Sequence, residues 1–179
     1  NLKSRELEIN IRNELGVDQQ EVTPKEIHDL EPNIKPIYHG GVYYQYGRHA
    51  RNPKKILLKL YDLFLKKGGK FLKMNIKDIN FDDEKPIIKA ETQSFLFDKI
   101  VIACGSFSKK LTDNLDEKIP LDTERGYHVH FKDCDHLLSR PVIFQNRGFG
   151  ITPMEQGLRV VGTVEFGGLD NPLSKSRVK

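Results

Sequence analysis

The hydrophobic pattern opens with Leu7, Ile11 and Leu15, spaced four apart. Steps of four fall on one helical face, so residues 3–15 are expected to form a helix, with Gly16 as its stop. A second, short helix is expected from Thr23. The threonine caps, Pro24 fits the first helical position, and Glu26 stands three residues after the cap, which completes a capping box. It carries Ile27 and Leu30 and ends before Pro32. Residues 38–46 mix glycine, valine and tyrosine and predict a short strand entering a loop through Gly47 and Arg48. The clearest helix follows. Asn52 caps it, Pro53 opens it, Ile56, Leu60, Leu63 and Phe64 form the stripe expected to be buried, and Gly68-Gly69 ends it.

Strands come next. Residues 71–74 predict one, and Ile76, Ile79 and Phe81 another with an irregularity between them. Residues 82–85 read as a turn, and residues 87–92 and 95–97 as two further strands. The run Ile100-Val101-Ile102-Ala103 reads as a strand covered on both faces and ends in Gly105-Ser106. Residues 109–115 fit a short helix. From Ile119 the texture becomes antiparallel sheet, with strands expected over 126–131, 142–145, 148–152 and 158–166 and a turn at Glu155-Gln156-Gly157. A polar tail follows Gly167-Gly168.

Composition narrows the class. The 179 residues are 37% hydrophobic and 30% charged, enough for one ordinary domain. No apolar run reaches the 18 or so residues of a membrane span, and residues 1–8 show no signal-peptide core. Cys104 and Cys134 are too few to staple the chain and point to reduced thiols in a cytosol-like compartment. Nine lysines and arginines lie between Arg48 and Lys73 against one acid, Asp62. They read first as a lysine-rich helix face, with anion or membrane-surface binding as the alternative. Nucleic acid is not expected, because no zinc, helix-turn-helix or glycine-aromatic signature accompanies them.

Chemistry concentrates in residues 124–130, Glu-Arg-Gly-Tyr-His-Val-His. On a strand, Arg125 and Tyr127 share one face while His128 and His130 share the other. A guanidinium beside a phenol can grip a carboxylate. The two imidazoles lack a cysteine or carboxylate partner at telling spacing, so no metal is expected. Arg147, before Gly148-Phe149-Gly150, is a second candidate anion ligand. Glu165 ends an apolar strand and needs a partner if buried, so a salt bridge or hydrogen bond is expected there. Cys104 reads as core and Cys134 as inert. No GxGxxG, Walker A, HExxH or GxSxG motif is present.

The stretch IVIACGSFS, residues 100–108, resembles the strand and Ala-x-Gly turn of glutathione-reductase-like FAD domains. LDTERGYHVHF, residues 121–131, and RPVIFQNRGFGITPMEQGLRVVGTVEFGGLD, residues 140–170, resemble the FAD-dependent D-amino acid oxidase superfamily, nearest to its D-amino acid dehydrogenase branch. Leu30-Glu31-Pro32, Gly40-Gly41-Val42 and Asn52-Pro53 match earlier landmarks, with Asn52 where relatives usually carry Asp. The resemblance implies an α+β chain: part of an FAD-binding α/β domain plus an antiparallel-sheet substrate-binding domain. Residues 1–35 would be a helical lead-in, 36–48 and 119–170 the substrate domain, 49–118 part of the FAD domain, and 171–179 a polar tail.

The same resemblance implies FAD as cofactor and a small amino acid as substrate, with hydride passing from its Cα to the flavin and a 2-oxo acid and ammonia as products. It places Tyr127, Arg125 and His128 near the flavin ring and substrate, Arg147 and Thr152 at the pocket, and Ala103, Gly105 and Ser106 beside the cofactor. A quinone or another electron acceptor, the remainder of the same polypeptide and a homodimer are the implied partners. The implied place is the cytoplasm, with peripheral attachment to the inner face of the membrane. The N-terminal GxGxxG region and a C-terminal segment of the family are not among these residues, so residues 1–179 alone are expected to be inactive. A flavin-free carboxylate-binding module and a structural domain are the competing readings.

Overall fold

A computed structural model describes residues 6–177. Helix α1 spans Glu6–Glu14, so residues 3–5 of the expected helix lie outside the described residues. Gly16 stops it at φ +71, and the Val17 N–H donates back to the Arg12 carbonyl at 2.9 Å. Arg12 pairs with Glu8 one turn earlier. Helix α2, Pro24–Leu30, begins with the expected capping box: the Glu26 N–H donates to Thr23 Oγ1 at 3.3 Å, and the Thr23 N–H donates to the Glu26 carboxylate at 2.7 Å. Strand β1, Gln20–Val22, was hidden in the sequence by its polar start. It exists because β2, Gly41–Tyr43, pairs with it antiparallel, Val22 opposite Gly41.

The Thr23 N–H, and then the Thr23 hydroxyl, hold the Glu26 carboxyl below the usual carboxylate range. A depressed carboxyl stabilises the fold above its unfolded pKa and loses that contribution as pH falls through its lower folded value. Acid titration followed by NMR should therefore show the Thr23 amide shifting below the ordinary range for glutamate. Thr23→Ala should cost about 1 kcal/mol in urea unfolding, the usual effect of a lost N-cap.

Helix α3 spans Pro53–Lys66. Its stripe departs from expectation. Ile56, Leu60, Leu63 and Phe64 are each about half exposed, and no residue of the helix is buried. Burial needs an element opposite the stripe. Residues 71–74, expected as a strand, form none; Phe71 meets Tyr61 edge to face, with ring centroids 5.5 Å apart.

The chain divides into two compact units. One holds the chain up to Lys54 together with His128–Gly162; the other holds Lys55–Tyr127 together with the chain from Thr163 onward. In the second unit β3 (Ile76–Asp82), β4 (Lys85–Ala90) and β5 (Ser94–Leu96) form an antiparallel sheet in that order. The expected irregularity in β3 is a register shift between Ile76 and Asp78. Asp83 and Glu84 both have positive φ, +43 and +67, the backbone a tight hairpin requires. Ile79 is fully buried.

Residues 100–103 are not the expected strand. They pair with no strand among the described residues, and Val101 is 87% exposed. A fully apolar run becomes a strand only when neighbours satisfy its backbone, and none lies beside it here. Cys104 is accordingly exposed rather than core, and both cysteines are free. Helix α4 follows at Ser108–Thr112.

Strands β6 (Arg125–Lys132), β7 (Val142–Phe144), β8 (Phe149–Met154) and β9 (Gly157–Glu165) form the largest sheet, in the order β6-β9-β8-β7. The Glu155-Gln156 turn joins β8 to β9 as expected. Both β6 and β9 carry the chain from one unit to the other, at Tyr127/His128 and Gly162/Thr163. The core of the first unit is Ile34, Leu138 and Leu158, packed with Tyr38, Cys134, Val142, Phe144 and Ile151. An aromatic row, Tyr38–Phe144–Phe149, runs beside it with centroids 5.4 and 4.7 Å apart. Among the described residues, no helix is long and apolar enough to cross a membrane.

Candidate functional site

Strand alternation turns Arg125 and Tyr127 to one side of β6. Within the second unit both meet Glu165, the last residue of β9. The Tyr127 hydroxyl donates to Glu165 Oε2 at 2.5 Å, and Arg125 Nη1 lies 3.4 Å from the same oxygen. The Arg125 and Glu165 side chains are 24% and 19% exposed. The partner expected for Glu165 is thus supplied by the pair expected to grip a carboxylate. The carboxylate they hold is the chain's own.

The chain after Gly168 closes over this cluster. Arg125 Nη2 donates to the Asn171 carbonyl at 2.8 Å and Nη1 to the Pro172 carbonyl at 3.1 Å. The Ser174 N–H donates to Tyr127 Oη at 3.0 Å. Tyr127 therefore donates one hydrogen bond, to Glu165, and accepts one, from the Ser174 N–H. Asn171 and Ser174 escaped the sequence reading because backbone carbonyls and N–H groups carry no residue signature.

The other expected site residues lie as follows. His128 and His130 are exposed on β6, and Arg147 is exposed in the turn between β7 and β8. The sheet places β6 and β7 on opposite edges, so within the first unit His128 and Arg147 do not converge. Thr152 is half-buried on β8, opposite Arg159. Among the described residues no group of histidine, cysteine, aspartate and glutamate is placed to hold a metal ion.

The first unit holds a second polar cluster that sequence reading reached only as a family landmark. Glu31 is buried, and its carboxylate accepts from the Ser139 N–H at 3.0 Å, from Ser139 Oγ at 2.5 Å and from Arg140 Nε at 2.9 Å. The Arg140 guanidinium also lies 5.4 Å from the centre of the Tyr43 ring. All these acceptors and donors are matched within the chain, which marks a structural tie.

The family model described as DAO, FAD dependent oxidoreductase, matches residues 2–179. The chain belongs to this family. The D-amino-acid oxidase of Bradyrhizobium diazoefficiens is 29% identical to it over 161 residues, 89% of this chain and 38% of that protein. The D-amino acid dehydrogenase 3 of Mesorhizobium japonicum is 25% identical over 177 residues, 93% of this chain and 43% of that protein. Glycine oxidase from Bacillus cereus has a similar fold, with TM-score 0.82 at 23% identity over 97% of this chain and 48% of its own. The chain thus spans about two-fifths of the length of these curated relatives of the FAD dependent oxidoreductase family.

The family's cofactor can be tested against the residues present. Gly105 has φ +55, and no atom lies within 4 Å of the place a Cβ would take. Ala103 and Gly105 are exposed, Ser106 is half-buried, and the Cys104 N–H is held by Ser108 Oγ at 3.1 Å. A bare turn with open space beside its backbone fits close approach by a flat or phosphorylated group. The residues present include no GxGxxG turn to receive an FAD pyrophosphate.

Proposed function

We propose that this chain supplies the substrate-binding sheet and part of the cofactor domain of an FAD-dependent oxidoreductase. The reaction is oxidation of the Cα–N bond of a D-amino acid or a related small amino acid, yielding a 2-oxo acid and ammonia. The observation that carries the reading is the family match over residues 2–179. In this reading residues 36–48 and 119–170 belong to the substrate domain and residues 49–118 to the FAD domain.

When bound, the flavin supplies the hydride acceptor and hands electrons on to a quinone or another acceptor. The chain's own residues bind and orient. Ala103, Gly105 and Ser106 would line the cofactor edge, where the open side of the Gly105 turn admits a ligand to the backbone. Arg125 and Tyr127 would take the substrate carboxylate, a role suited to a guanidinium and phenol already holding a carboxylate together.

Denaturing mass spectrometry of the purified protein, combined with D-alanine turnover against an artificial electron acceptor, tests this. A released species of FAD mass and turnover are expected from the flavoenzyme. Absence of both in the whole protein, purified with added FAD, would overturn the reading. The Arg125–Glu165–Tyr127 contact also supports a second reading, a flavin-free module that binds small carboxylates; it predicts D-alanine binding without flavin.

A further inference from the structure

The polar tail expected after Gly168 is held at several points along its length. Besides its bonds to Arg125 and Tyr127, Arg177 Nη1 donates to the Val164 carbonyl at 2.7 Å, and Thr163 Oγ1 donates to the Arg177 carbonyl at 3.3 Å. Asn171 Nδ2 donates to the Gly167 carbonyl, and Lys110 pairs with Asp170 at 3.5 Å. Leu173 between them is exposed, so apolar packing contributes little and polar contacts hold the segment. These bonds all lie within the second unit.

The bonds fall on one functional pair. Arg125 turns the end of its guanidinium fork, Nη1 and Nη2, to one carboxylate and two backbone carbonyls. Tyr127 donates its O–H to Glu165 and accepts from the Ser174 N–H. An incoming carboxylate needs those same donors. It meets the Arg125 donors only after the carbonyls of Asn171 and Pro172 have left, and the Tyr127 O–H only by displacing Glu165.

We propose that residues 171–177 are a strap that competes with a small carboxylate ligand for Arg125, beside Tyr127. The proposal rests on the reading that these two residues receive the substrate carboxylate. A protein whose binding-competent form is a minor one shows an affinity reduced by that fraction. The closed strap therefore weakens binding, and opening it strengthens binding without any change in the ligand's own contacts.

Two strap variants separate the strap from the pair. Ser174→Pro removes the N–H given to Tyr127. Arg177→Gln removes the donor to Val164 and leaves the tryptic site at Lys175. Circular dichroism checks that each still folds. In each, trypsin should cut after Lys175 faster than in the wild type, because cleavage follows the open population. Calorimetric titration with D-alanine should show affinity raised by about tenfold, the gain expected if the strap is open about a tenth of the time. Faster cleavage with equal D-alanine affinity in all forms overturns the strap and leaves the pair's role intact. Unchanged cleavage in both variants also overturns the strap. Faster cleavage with no D-alanine binding in any form overturns the pair's role as ligand, and with it the competition.

Discussion

Gly157→Ala is expected to cost about 3 kcal/mol or more of unfolding stability, combining backbone strain with overpacking against a neighbouring strand. Gly157 opens β9 at φ +137, a conformation that side-chain-bearing residues rarely adopt. A Cβ there would press into the Phe131 carbonyl and lie 2.9 Å from Lys132 Cα. Both are backbone atoms of β6, and neither can turn aside as a long side chain could. Gly148→Ala is the control. Its φ is +66 and its Cβ would meet nothing within 4 Å, so it should lose only the conformational term, about 1–2 kcal/mol. Urea unfolding of both variants, read as a midpoint shift at constant slope, checks the difference. Equal losses would mean that the close approach of Gly157 to β6 carries no energy.

Glu31→Ala is the second large effect. Removing one member of a buried ion pair typically costs 3–5 kcal/mol, because the other charge stays behind unpaired. Here the Glu31 side chain is 6% exposed but that of Arg140 is 35% exposed, so water takes over part of the arginine's interaction. The expected loss is about 2–3 kcal/mol once that screening is allowed for. The unsatisfied Ser139 N–H accounts for part of it. Glu31→Gln keeps an acceptor for Ser139 and should lose less. The double variant Glu31→Ala/Arg140→Ala should be less damaging than the two single losses added together, since neither charge is then orphaned. Strict additivity of the two single losses would show that the contact contributes nothing.

What the sequence revealed was local. The capping box at Thr23-Pro24-Glu26, the Gly16 stop, the hairpin at Asp83-Glu84 and the turn before Gly157 each depend on residues within four positions of one another. Their chemistry dictates the backbone wherever they stand. The misread segments depended on distant partners. The Ile100–Ala103 run has the composition of a central strand, but composition does not provide the neighbour that would satisfy its N–H and C=O groups. The α3 stripe has the period of a buried helix, but period does not state what lies opposite. Strand β1 failed in the other direction: a polar Gln-Glu start concealed a strand that only pairing with β2 reveals.

The candidate site divides along the same line. Arg125 and Tyr127 were legible as a pair because alternation on one strand puts them on one face. That Glu165 needed a partner was legible because a carboxylate at the end of an apolar strand is conspicuous. That these three residues meet, and that the chain at Asn171–Ser174 closes on them, depends on β9 returning alongside β6. Glu31 was visible as a landmark, while its partners Ser139 and Arg140 lie too far along the chain for any spacing rule to reach.

That separation sets a timetable for the newly made chain. Glu31 and Ser139 are 108 positions apart, and a ribosome adding about 5–20 residues per second takes on the order of 10 s to cover that stretch. During that interval Ile34 and the buried carboxylate of Glu31 have left the exit tunnel without Leu138, Leu158 or Arg140 to receive them. The first unit therefore cannot mature in the order in which it is translated. Its opening segment waits, half-formed, for its closing segment, and in that waiting period the nascent polypeptide is open to holding chaperones and to proteolysis.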